Sequence, residues 1–173
     1  MKKLLLVLFL AAGTAMAQTG YVASEALLQS MPEFQTAQQE ISKLAASLKA
    51  DDTKAENNVK EKMALLQAKV QELRQTATDE VAFNQELEIY KSQASALENE
   101  LLNSKKLAEL KLGEKQNKLL TPLSKKLNEA IKKVALARGY NIIVDLSAVA
   151  YATEEANISK AVALELGIPV PTE

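Results

Sequence analysis

Lysine, glutamate, aspartate and serine are the groups in this 173-residue chain abundant enough to carry acid, base or nucleophilic chemistry. Histidine and cysteine are both absent. Their absence removes Ser-His-Asp and Cys-His catalysis and any zinc site built on imidazole or thiolate. Carboxylate-only and Ser-Lys chemistry survive in principle, but no spacing of these residues supports either, and no pocket-forming stretch would gather them. No cofactor is implied. The composition points to a protein that acts by binding rather than catalysis.

Two kinds of side chain are then left as binding candidates. Lysine pairs at 105–106, 125–126 and 132–133 offer positive charge to an anionic partner, although such pairs more often form a solvated helix face. The other kind is apolar residues that fall off any packing seam, and finding those requires the seams themselves.

The chain opens MKKLLLVLFLAAGTAMA, with a basic start, an apolar run from Leu4 to about Ala15, and the small-residue pattern Ala15-x-Ala17. This is the layout of a secretory signal cleaved after Ala17. A run of about twelve apolar residues is short of the roughly 20 that span a bilayer. Removal leaves 156 residues, with 19 bases against 22 acids. That balance calls for no nucleic acid. An exported chain without cysteine has to be stabilised by packing or assembly, because no disulfide is available.

The expected fold class is α+β: a long antiparallel coiled-coil helical hairpin on a small three-stranded β body that trimerises. Residues 18–33 supply a strand near Tyr21 and Val22 and a short helix capped by Ser24, which Pro32 interrupts. Residues 34–138 form the arm. One apolar series runs Val59, Met63, Leu66, Val70, Leu73, Ala77 and a second runs Phe83, Leu87, Tyr90, Ala94, Leu97, Leu101, both at alternating steps of four and three. These are coiled-coil seams. Between them TATDE predicts a turn at about 76–80, with Thr78 as cap. Eleven-residue steps from Leu48 to Val59 and from Leu101 to Leu112 loosen both seams at a similar height.

Off the seams stand Leu65, Val81, Ile89 and Leu102, the candidates for contact with a partner. Phe83 and Tyr90 lie on the seam and are assigned to packing. Gly113 lowers helix stability by about 1 kcal/mol relative to alanine, and Pro122 removes a helical hydrogen bond. Both are hinge candidates. Residues 139–173 begin at the helix-ending Gly139 and then carry two strand candidates, 140–145 and 148–152. These place Ile142 and Val144 opposite Val149 and Tyr151. A last helix capped by Asn157 or Ser159 ends at Gly167. A body of about 60 residues is too small for a comfortable core, so self-association is expected to complete it.

Taken in order, the strand of the GYVxS type, the short helix ending near Pro32, the long hairpin, KLLTPLSKKLNEAIKKVALARGYNIIVDLSAVAYA and ISKAVALELG resemble the Skp/OmpH family of periplasmic chaperones. The resemblance is sharpest from Lys118 to Ala152. It implies a homotrimer joined through the β body, with helical arms enclosing unfolded outer-membrane β-barrel proteins, in the periplasm and without ATP. The trimer-body residues would then be Tyr21, Val22, Ile142, Val144, Val149 and Tyr151. One departure stands out. Well-known members are strongly basic, whereas here residues 72–100 carry seven acids and two bases, and residues 105–138 carry ten bases and three acids. Lipopolysaccharide binding and contact with membrane surfaces are therefore not carried over. From the residues alone a second reading stands beside the chaperone: a structural coiled-coil adaptor of the envelope with one fixed partner, distinguished by its failure to bind unfolded chains at large.

Overall fold

The computed structural model describes residues 18–170; the proposed signal segment, residues 1–17, lies outside them. The chain forms strand β1 (Gln18–Val22), helix α1 (Ser24–Gln29), helix α2 (Pro32–Thr76), helix α3 (Glu80–Ala137), strand β2 (Tyr140–Asp145) and helix α4 (Ser159–Leu166). Short 3-10 turns at Leu146–Ala148 and Glu154–Ala156 lie between β2 and α4. Packing divides the chain into two units: residues up to Pro32 together with those from Leu123 onward, and Glu33–Pro122. The helix itself runs to Ala137, so the division falls inside α3.

In the first unit β1 and β2 pair in parallel, with Gly20 opposite Ile143 and Tyr21 opposite Val144. At Gly20 an added Cβ would stand 2.9 Å from the Ile143 Cδ1 and 3.1 Å from the Tyr140 ring, so those side chains would have to shift to admit one. The core around this pair draws on β1 and on helical residues that pack against it. Tyr21 and Val22 come from β1, Leu27 from α1, Ile158, Val162 and Ala163 from the α4 region, and Leu123, Leu127, Ala130 and Val134 from the end of α3. The last four recur at steps of four, three and four, one apolar stripe of a helix. Ile158 donates its N–H to the Tyr21 carbonyl at 2.9 Å, and the buried Ser159 hydroxyl accepts the Ala23 N–H at 2.9 Å.

The expected β-hairpin is not formed. The sheet has two strands, and residues 148–152 contain none. The cause lies at Asp145, whose carboxylate accepts the Ser147 N–H at 2.9 Å and the Ser147 hydroxyl at 2.6 Å. These bonds close the 3-10 turn just after β2 and take the following backbone away from any ladder. The other carboxylate oxygen of Asp145 accepts the Ser24 N–H at 3.3 Å. Ser24 is therefore not the cap that its sequence context suggests. It is the first residue of α1, Ala23 sits at the N-cap without a capping side chain, and the acceptor comes from 121 residues away.

Helix ends elsewhere follow local chemistry. Gly139 and Gly167 adopt left-handed backbone after α3 and α4, with φ of 74° and 68°, and Ile168 donates its N–H to the Ala163 carbonyl as a Schellman closure requires. At the start of α4, Ile158 is the N-cap, while the Asn157 side chain accepts the Ser159 N–H. Pro32 opens α2, where its missing N–H costs nothing. Between α2 and α3 the cap is Asp79 and not Thr78: its side chain accepts the Val81 N–H at 2.8 Å and its carbonyl accepts the Phe83 N–H.

The three hydrogen bonds that Asp145 accepts hold its carboxyl at about 2, below the ordinary 3.8. The depressed value means that its contribution is fully present above about pH 4 and is lost as pH falls through about 2. Asp145→Ala is expected to lower stability by about 1 kcal/mol, because water reaching this carboxylate weakens the interaction, and to flatten the acid limb of the denaturation profile. Urea midpoints of the parent chain and the variant, measured between pH 2 and pH 6, check both. A second expectation concerns Gly113, where an added Cβ meets nothing within 4 Å. Gly113→Ala should stabilise α3 by about 1 kcal/mol and slow amide exchange across 104–118, read by mass spectrometry; unchanged exchange would remove Gly113 as a source of flexibility.

Candidate functional site

The second unit is formed by most of α2 and the first part of α3, and its surface is the candidate site. Helix-forming residues run almost unbroken through the 45-residue α2 and the 58-residue α3. Val59, Met63, Leu66, Val70 and Leu73 on α2, and Phe83, Leu87, Tyr90, Ala94, Leu97 and Leu101 on α3, are half-buried, while most residues between them are exposed. Ala77 falls past the end of α2 and is exposed. A cleft lined by Met63, Leu66 and Val70 from one helix and Leu87, Tyr90 and Ala94 from the other shows the two seams meeting antiparallel. No residue from 42 to 122 is buried. Two helices in contact along one stripe cannot enclose a core.

Within the eleven-residue steps the seam does not vanish; other residues fill it. Asp52 and Ala55 continue the half-buried stripe on α2, and Lys105 and Ala108 continue it on α3. Small and charged side chains here leave a cleft of about 410 Å³ lined by Leu48, Asp52, Glu56, Lys105, Ala108 and Leu112, among others. Lys105 reaches across it to Glu56 at 2.5 Å. The hydrogen bond to Glu56 raises the Lys105 ammonium above its ordinary value, with the nearby Asp52 charge adding to the shift. Ten residues on, Lys115 binds Glu40 at 2.6 Å and lowers that carboxyl. A search for apolar periodicity alone misses all of these. The signal that finds Asp52, Ala55, Lys105 and Ala108 is the seam's own rhythm, since 48, 52, 55, 59 and 101, 105, 108, 112 keep the four-three-four step.

The four off-seam candidates are exposed: Leu65 at 65%, Val81 at 65%, Ile89 at 54% and Leu102 at 64%. They do not form one cluster. Leu65 lines a cleft of about 430 Å³ with Leu66, Gln93, Ala96, Leu97 and Glu100, and Ile89 is not part of its lining. Two further apolar residues on α3, Leu107 and Leu110, are also more than half exposed and were not singled out from the sequence. Gly113 and Pro122 both lie within α3, which continues through them as helix. In the first unit Tyr21 and Val22 are buried, Val144 and Val149 are half-buried, Ile142 is exposed, and Tyr151 is 86% exposed.

Among the described residues no group of three or more acidic side chains is placed to hold a metal ion, and no helix is long and apolar enough to cross a membrane. The geometry comprises a long two-helix hairpin and a small α+β unit. The family model described as "Outer membrane protein (OmpH-like)" matches residues 18–166, and the chain belongs to this OmpH-like family. A solved structure of a candidate OmpH-like outer membrane chaperone from Caulobacter crescentus superposes with a TM-score of 0.60 at 19% identity. The match covers 89% of this chain and 86% of that one. At that identity the likeness speaks for the fold. No curated protein matches the sequence.

The bridge between Lys105 and Glu56 is solvent-exposed on both sides, and such pairs are screened by salt and contribute about 1 kcal/mol or less. A double-mutant cycle of Lys105→Ala and Glu56→Ala should therefore give a coupling of at most about 1 kcal/mol at low salt. In about 1 M salt it should shrink towards zero. Chemical denaturation of the four proteins at both salt concentrations measures it, and a coupling indifferent to salt would mean that packing rather than charge joins the two residues.

Proposed function

We propose that the protein is a periplasmic, ATP-independent holdase that binds unfolded outer-membrane β-barrel proteins and keeps them from aggregating in transit. One observation carries the reading: the second unit leaves Leu65, Val81, Ile89, Leu102, Leu107 and Leu110 each more than half exposed on helices that have no core to collapse into. Scattered exposed apolar residues are ordinary on a compact domain. On a hairpin with no buried residue from 42 to 122 they are the main apolar surface off the seam. Many weak contacts of this kind bind a client without a fixed geometry and release it without an energy source. Family membership supports the same reading.

The assembly that goes with it is a homotrimer joined through the first unit, in the periplasm after removal of residues 1–17. The first unit leaves Leu136, Ile142, Tyr151 and Leu164 more than half exposed, and covering these would complete a core that a body of this size lacks. Hinge motion at Gly113 and Pro122 belongs to this proposal, as a way for arms to fit clients of different size.

The test uses residues 18–173. Light-scattering mass on a sizing column is measured alone and after mixing with a urea-diluted outer-membrane β-barrel protein. A trimer that forms a discrete complex and keeps the client from aggregating is the expected outcome. A trimer that ignores the client would overturn the holdase and leave a coiled-coil scaffold in its place.

A further inference from the structure

Along α3 two exposed flanks differ in charge. At 100° per residue, positions 82, 85, 89, 92, 96, 100, 103, 107 and 110 form one stripe turned about 100° to 180° from the seam, towards the back of the helix. Positions 80, 84, 88, 91, 95, 98, 102, 106 and 109 form the other, about 60° to 140° from the seam in the opposite sense. Every residue of both sets is exposed, so burial does not explain a difference between them. The first flank carries one charged residue, Glu100, in nine positions; the second carries six. The first instead holds alanine, serine, asparagine and glutamine around Ile89, Leu107 and Leu110. The cleft containing Leu65 is lined by Ala96 and Glu100 of this flank, with Lys62 and Lys69 lining it from α2.

We propose that this neutral flank, from Ala82 to Leu110, is the face on which the client lies, and that its occupant is a single extended segment of alternating apolar and uncharged polar side chains. The inference rests on the holdase reading and adds the face and the kind of segment. Charge is the first argument. Covering the opposite flank would strip water from six charged side chains, at a cost of several kcal/mol wherever no partner charge replaced the water. Covering the neutral flank desolvates one, and Glu100 lies at its edge, beside a cleft that Lys62 and Lys69 also line. Length is the second. From 82 to 110 the helix rises about 42 Å, which matches an extended strand of about 12 residues at about 3.4 Å each. A membrane-spanning strand of a β-barrel has roughly 9 to 11 residues and alternates apolar with polar. One flank therefore accommodates about one such strand before it enters the barrel, with Ile89 and the Leu107–Leu110 pair as apolar contacts and amide and hydroxyl side chains between them.

The test places a photo-crosslinking residue at Gln85, Ala96 or Asn103 on the neutral flank, or at Asn84, Ser95 or Lys106 on the charged one, in residues 18–173. Each variant is mixed with a urea-diluted outer-membrane β-barrel protein and illuminated. Cross-links to the client several times stronger from the neutral positions are expected, and Ala96→Lys with Asn103→Lys should lower the amount of client captured while Asn84→Lys with Ser95→Lys should not. Equal or reversed yields would overturn the inference while leaving the holdase standing, and arm-to-arm cross-links formed in place of client cross-links would assign the flank to a second copy. If the parent chain captures no client, the holdase reading itself falls, and the neutral flank falls with it as a client site.

Discussion

The parallel pairing of β1 with β2 is the interaction on which the rest depends. Parallel neighbours cannot be joined by a tight turn and need a long crossover, and here the crossover contains α1, α2 and α3 in full. Once Tyr21 lies beside Val144, the two ends of the helical excursion are pinned at one place. The chain must then leave and return, which is what two antiparallel helices do. The Tyr21 carbonyl and the Asp145 carboxylate reinforce that closure, the first by accepting the Ile158 N–H and the second by accepting the Ser24 N–H. The entropic cost of closing so long a loop grows only logarithmically with its length.

The two units are stabilised in different ways. The first has a buried core to which β1, α1, α4 and the end of α3 contribute, and its polar backbone groups are met by side chains such as Ser159 and Asp145. The second has a seam and nothing beneath it. Its register is set by which apolar residues face each other and by charged residues at the loosened stretch, where Lys105 meets Glu56 and Lys115 meets Glu40. Exposed ion pairs add little to stability, yet a pair out of register leaves each charge without its partner, so they discriminate between alignments more than they strengthen the right one.

Much of this was legible in the residues. The alternating four-three steps from Val59 to Leu73 and from Phe83 to Leu101 depend only on local periodicity, and the half-buried stripe follows them. Gly139 and Gly167 marked helix ends because left-handed backbone favours glycine at those points. What failed depends on which partner one carboxylate takes, nearby and far along the chain. The run from Ala148 to Ala152 has strand composition, but the bonds that Ser147 donates to Asp145 turn the chain before it. Ser24 has the composition of a cap, but its N–H is met from Asp145. Of the candidate binding residues, Leu65 and Ile89 stand out as apolar residues that miss the seam, whereas Leu107 and Leu110 lie beyond the regular heptads, where the apolar series no longer marks the seam. The difference between the flanks of α3 was present in the sequence throughout; it becomes visible once the seam fixes which way each residue points.

Because no residue from 42 to 122 is buried, the outer part of the hairpin answers to no fixed shape, only to a rhythm. Adding seven residues to each helix lengthens it by about 10 Å and returns every seam residue to its side, and none of the core around β1 and β2 is touched. Reach is thereby separable from foundation. A lineage built on this plan can extend or shorten its arms in matched steps and can exchange most of their residues, provided that the apolar stripe keeps its beat.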